Sequence, residues 1–175
     1  FGVILSLGLF LYRTMEPNFA ELSVEHGSII ASRFADESVE VSQSVKVAKW
    51  SGSLYFANAA YFETKLLALI AKNTDELKYV IVDVASIVQV DASGEQVLSN
   101  LVEGCSSSGV EILFARTERL EAELFRSGFK KRYGENRFFD LRADALKFVW
   151  QELEIHQKAQ EEEQVEDIDD AGVIV

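Results

Sequence analysis

Ser93 is the residue on which chemistry could turn. It stands in Asp91-Ala92-Ser93-Gly94, directly ahead of apolar residues at helical spacing: Val97, Leu98, Leu101, Val102 and Cys105. Asp and Ser are ordinary helix-capping residues, so one reading makes Asp91 and Ser93 acceptors for the free amides of a helix start. A second reading is chemical. A hydroxyl in the first turn lies where unpaired amides and the positive end of the helix dipole favour a bound or covalent phosphate. Spacing allows that switch and equally allows two plain caps.

Other constellations are poorer. Gly104 and Gly109 imitate the glycine spacing of a phosphate-binding loop, yet Val110-Glu111 stands where Lys and Ser/Thr must follow. Those glycines also lie at a helix-to-strand turn, the wrong direction for phosphate binding at a helix start. His26 and His156 are distant in sequence, and neither has Cys105 or a carboxylate pair at the spacing of a metal site. No nucleophile-elbow spacing points to a catalytic triad. Asp83 and Asp91 are the carboxylates near presumed strand ends, and hydrogen bonds to local amides account for them. The expectation is a protein that is not an enzyme and has neither metal nor cofactor.

The elements that must position Ser93 are legible on both sides of it. Tyr79-Val80-Ile81-Val82-Asp83-Val84 is dense in β-branched and aromatic residues with no helical period, which predicts a central strand buried on both faces. Gly109 should close the Ser93 helix, and Val110 to Ala115 should form the next strand. Upstream, Ser28 to Phe34 reads as a first strand and Asp36-Glu37-Ser38 as a polar break. Val45 to Trp50, a turn at Ser51-Gly52-Ser53 and Leu54-Tyr55-Phe56 read as an edge hairpin guarded by Lys46 and Lys49. Asn58 is placed to cap a helix carrying Phe62, Leu66, Leu69 and Ile70. Thr117 is placed to cap another with Leu120, Leu124 and Phe125, closed at Gly128. Lys130-Lys131-Arg132 is expected on a solvated loop and Phe138 to Leu141 in a short strand. A last helix should dock through Leu146, Val149, Trp150 and Leu153.

Val82-Asp83-Val84, Asp91-Ala92-Ser93-Gly94 and Gly109-Val110-Glu111-Ile112-Leu113-Phe114-Ala115 together resemble the STAS domain shared by sulfate transporters and anti-sigma factor antagonists. Gly52-Ser53-Leu54-Tyr55-Phe56-Ala57-Asn58-Ala59 is similar to the segment before the first STAS helix in the sulfate permease (SulP) branch, which soluble antagonists usually lack. The resemblance implies an α/β fold: a small mixed sheet of four or five strands with helices packed mainly on one side. In the antagonists the serine before the glycine is phosphorylated; Ser93 occupies that position, and Ala92 replaces the serine ahead of it. Asp91, Ala92, Gly94 and Asn58 would form the supporting loop. The resemblance further implies a cytoplasmic domain of a membrane transporter for sulfate, bicarbonate or dicarboxylate. Its partners would be the transporter's own membrane domain, through which it would dimerise, and a regulatory protein or nucleotide. The alternative is a soluble phospho-switch that binds a regulatory kinase.

Composition sets the outer bounds. A chain of 175 residues that is 48% apolar can bury one sizeable core. Its net charge of -12 disfavours nucleic acid, whose phosphates demand a basic face. Nine acidic residues against Lys158 put -8 of that charge beyond Gln151, leaving -4 for the remainder. Cys105, the one cysteine, excludes an internal disulfide. Residues 1–13 are apolar up to Tyr12-Arg13 and are expected to end a membrane helix, because the twelve-residue run would be only about 18 Å long against about 30 Å of hydrocarbon. Residues 14–27 are expected as a linker broken by Pro17, 28–156 as the STAS-like domain, and 157–175 as a disordered or marginally helical acidic tail.

Overall fold

The computed structural model describes residues 2–15, 17–25, 28–30, 43–73, 76–120, 124 and 126–171. In chain order the elements are α1 (Gly2–Met15), β1 (Asn18–Glu25), β2 (Ser28–Ile30), β3 (Val45–Ser51), α2 (Ala59–Ala71), β4 (Tyr79–Asp83), α3 (Ala92–Ser107) and β5 (Glu111–Ala115). They are followed by α4 (Phe129–Tyr133), a 3-10 turn (Glu135–Arg137), β6 (Phe138–Phe139) and α5 (Arg142–Ala171). The strands form one sheet in the order β2-β1-β3-β4-β5-β6. β3 through β6 run parallel, whereas β1 is antiparallel to both β2 and β3.

Period-2 alternation divides the core between two faces. Ala48, Trp50, Val80, Val82, Ile112 and Phe114 point to the side covered by α2, α3 and α4. Val45, Val47, Tyr79, Ile81, Leu113 and Ala115 point to the side covered by α5, through Ala145, Leu146 and Val149. All five residues of β4 are buried, so the expected central strand is where its composition put it. The α/β architecture, with most helices on one side, follows from this layering. Five strands, β1 and β3 through β6, make up the main sheet as expected, and the three-residue β2 brings the full order to six.

One of these strands comes from the expected linker. Residues 18–25 are β1, because Phe19 and Leu22 pack on the two cores while the backbone pairs Asn18 to Leu22 with Ser51 to Val47. That pairing puts β3 inside the sheet, so the expected edge hairpin is absent. Leu54 instead makes a single parallel bridge to Val90, and Lys46 reaches Glu21 of β1 at 4.0 Å. Ser28–Ile30 is a strand, the start of the one expected over Ser28 to Phe34; residues 31–34, Asp36-Glu37-Ser38 and Phe125 lie outside the described residues. Lys130, Lys131 and Arg132 sit on α4, not on a loop. The Thr117 hydroxyl turns to the Phe139 carbonyl at 3.5 Å.

At the helix ends, Gly109 takes φ 79°, and the Val110 amide donates back to the Cys105 carbonyl at 2.9 Å, closing α3 as expected. The acidic tail is helical as far as Ala171. Gln, Glu, Lys and Ala dominate residues 157–163, all good helix formers, and no Gly or Pro interrupts the run before Gly172.

The buried carboxylate of Asp83 closes the carboxyl end of β4. It is 1% exposed, accepts two hydrogen bonds from the Arg116 guanidinium at 2.9 and 2.7 Å, and has Arg142 of α5 at 3.4 Å. Arg116 holds this grip at φ 60°, a conformation that L residues rarely adopt. An ion pair built at that backbone cost should show in stability. Arg116→Ala is expected to lose about 2 kcal/mol in urea denaturation, and Arg116→Ala with Arg142→Ala about 3–5 kcal/mol, because the carboxylate is then buried unpaired. An unchanged midpoint in the double variant would show that Asp83 draws nothing from either arginine.

Candidate functional site

Two loops meet at the start of α3. Residues 52–58 lead from β3 into α2, and residues 84–91 lead from β4 into α3. The Leu54 amide donates to the Gln89 carbonyl at 2.9 Å, and the Asp91 amide donates to the Leu54 carbonyl at 3.1 Å. The Asp91 side chain then completes the junction. One oxygen accepts from the Gly94 amide at 2.8 Å, capping α3; the other accepts from the Phe56 amide at 2.9 Å. Burial alone would raise the Asp91 pKa, but hydrogen bonds from the Gly94, Phe56 and Ser93 amides outweigh it and hold the carboxyl below its ordinary value.

Gly94 faces the other loop directly. A Cβ added there would stand 2.7 Å from the Leu54 carbonyl oxygen and 3.0 Å from the Leu54 and Val90 side chains. Only glycine allows this approach of helix to backbone. Ala92 and Ser93, between the two ends of the Asp91–Gly94 cap, are exposed. The Ser93 hydroxyl therefore sits in the first turn of a 16-residue helix. Phe56 and Val88, one from each loop, are also exposed, at 76% and 61%.

Asn58 belongs to the site in a different way from the one expected. It occupies the N-cap position of α2 but makes no capping bond. Its amide turns back instead: Nδ2 donates to the Ser53 carbonyl and Oδ1 accepts from the Tyr55 amide, both at 3.0 Å. Buried to 1% exposure, it fixes the shape of its own loop. The structure thus brings Asp91, Ala92, Ser93 and Gly94 together with the loop that Asn58 organises. Asp83 lies apart in its arginine pair. Nothing local in the sequence marks Arg116 and Arg142, whose partner is 33 and 59 positions away (116 minus 83 and 142 minus 83). Glu95 lies 4.0 Å from Arg132 of α4, so the basic cluster reaches the flank of α3. Among the described residues no three His, Cys, Asp or Glu side chains gather as a metal site would require.

These features define a small α/β module that presents a hydroxyl at a helix start. The family model of the STAS domain matches residues 38–145, well over half of the chain, and the chain belongs to that family. No curated protein sequence matches it. Solved structures share the fold. The murine Solute Carrier 26 family member A9 anion transporter, in its inward-facing state, matches with TM-score 0.67 and 21% identity over 85% of this chain and 25% of the transporter. A sulfate transporter family protein from Wolinella succinogenes matches with TM-score 0.57 and 24% identity over 69% of this chain and 96% of its own. The SulP transporter STAS domain from Vibrio cholerae matches with TM-score 0.55 and 20% identity over 66% and 88%. The chain thus spans about a quarter of the murine transporter's length.

Two outcomes test the junction. Gly94→Val should lower stability by about 1–3 kcal/mol or more, since backbone as well as side chain must give way; an ordinary melting temperature would deny the close approach. Asp91→Ala should cost about 1 kcal/mol at neutral pH. Because the folded-state pKa is depressed, the Asp91 contribution is complete above the unfolded value near pH 4 and is lost as pH falls through the folded value. Urea titrations should therefore converge for the two proteins in acid; a constant gap would contradict the carboxylate's role.

Proposed function

We propose that this chain is the STAS domain of a SulP-like secondary anion transporter, that it lies on the cytoplasmic side, and that it regulates or assembles the transporter through the start of α3. The observation that carries the reading is the exposed Ser93 in the first turn of α3, on a STAS scaffold. Likeness to an anion transporter over 85% of this chain supports the membrane context, since it reaches beyond the family match at 38–145.

The character of α1 supports it too. Val3, Ile4, Leu5, Leu7 and Leu9 are each more than half exposed on a 14-residue helix. Among the described residues no helix is long and apolar enough to cross a membrane; α1, about 21 Å long, would be the end of a span. Pro17 then lies beside Gly52, where an added Cβ would stand 3.3 Å from the proline Cβ and the φ of 147° would strain any L side chain. Motion of α1 would reach the 52–58 loop through that contact and the α3 start through Asp91.

Phosphate on Ser93 would add close to two negative charges beside the Asp91 carboxylate and Glu95. The helix dipole favours the new charge, whereas the neighbouring carboxylates oppose it. The result is a changed surface around Phe56 and Val88, where a regulatory protein or the transporter's own membrane domain would bind. The domain itself carries out no reaction and needs no cofactor. It dimerises through the membrane portion, and the anion moved is sulfate, bicarbonate or a dicarboxylate. An antagonist-like soluble switch would use the same serine but gives α1 no role. The complete reading frame separates the two: several long apolar segments upstream of Phe1 support the transporter, and none eliminates it.

The direct test uses the full-length protein in vesicles, with whichever of those anions the wild type moves. Ser93→Asp should change uptake severalfold while Ser93→Ala leaves it near wild type. Equal rates in all three proteins would remove Ser93 from the mechanism.

A further inference from the structure

A cleft of about 600 Å³ opens on the other side of the 52–58 loop, between the exit from α1, the end of β3 and the first turns of α2. That volume is in the range of small-molecule sites. Phe19, Tyr55 and Tyr61 supply aromatic walls, and among the described residues Lys65 is the one charged side chain on the lining. The Lys65 ammonium lies 5.2 Å from the centre of the Tyr61 ring. On a chain of net charge -12, a lining whose described residues carry a cation and no carboxylate favours an anion over a cationic ligand. The aromatic walls add room for an apolar or planar body.

The loop between this cleft and α3 works as a two-sided strip. Ser53 and Tyr55 line the cleft. The residues between and after them face the other way: Leu54 bridges to Val90, and the Phe56 amide is held by Asp91. Asn58 ties the cleft-side positions together by bonding both the Ser53 carbonyl and the Tyr55 amide. A displacement on one side of so short a strip cannot be absorbed without moving the other.

We propose that the cleft lined by Phe19, Tyr55, Tyr61 and Lys65 binds an organic anion with an apolar or aromatic body, and that its occupancy is coupled through residues 53–58 to the start of α3. The anion is a phosphate or carboxylate carried either by a soluble molecule or by a membrane lipid. Binding stands on the cleft alone; only the meaning of the coupling rests on the regulatory reading of Ser93.

The test is an amide chemical-shift titration of the 175-residue chain in neutral detergent micelles, with phenyl phosphate as the probe. Saturable shifts are expected at 52–58 and at 92–95, with affinity falling about tenfold or more in Lys65→Gln and for inorganic phosphate, which has no body to fill the walls. A second arm measures binding to phosphatidylcholine vesicles with and without phosphatidic acid. Preference for phosphatidic acid that Lys65→Gln abolishes identifies a lipid source; phenyl phosphate binding without that preference identifies a soluble one. Absence of Lys65-dependent binding in both arms overturns the site. Shifts confined to 52–58 overturn the coupling. Ser93 variants that leave uptake unchanged would defeat the regulatory reading without touching either titration.

Discussion

The Asp91 carboxylate is the constraint on which the working edge of this domain depends. One oxygen caps α3 through Gly94 and the other holds the Phe56 amide of a loop that precedes it by 35 residues. Neither bond alone would fix the geometry. Together with the Leu54–Val90 bridge they force two independent strand-to-helix connections to share one surface. Gly94 is the consequence: the helix start is drawn so close to the Leu54 carbonyl that no side chain fits. Ser93 and Ala92, adjacent to this locked point, are left facing solvent.

A second carboxylate does comparable work deeper in the fold. Asp83 ends β4 and receives Arg116 from beyond β5 and Arg142 from the start of α5. It joins the sheet to the helix on its less crowded face. The two aspartates have different settings. Asp83 is buried and paired with guanidinium groups, so its loss disturbs packing; Asp91 is held by backbone amides near the surface, so its loss loosens a junction while the core persists.

Much of this was legible in the sequence because it is local. The β-branched run at Tyr79 to Val84, the capping signal at Asp91 and the helix stop at Gly109 each depend on neighbours within a few residues. The misread parts depend on distant partners. Residues 18–25 look like a linker until β3 is available for pairing, and β3 looks like an edge until β1 covers it. Arg116 and Arg142 have no local pattern, since their role is defined by a carboxylate on another strand. Asn58 carries the sequence of a cap but spends its amide on Ser53 and Tyr55 of its own loop, a local side-chain-to-backbone bonding that competes with capping.

The 52–58 loop emerges as the element that connects the exit from α1, the cleft and the Ser93 helix start, with Asp91 as its anchor. Amide hydrogen exchange on Asp91→Ala and wild type measures that anchor most directly. If one carboxylate couples both loops, the amides of Phe56 and Gly94 should lose protection together in the variant, with β4 unaffected. Loss at Gly94 with full protection retained at Phe56 would mean that Asp91 is only a helix cap and that its carboxylate does not couple the two loops.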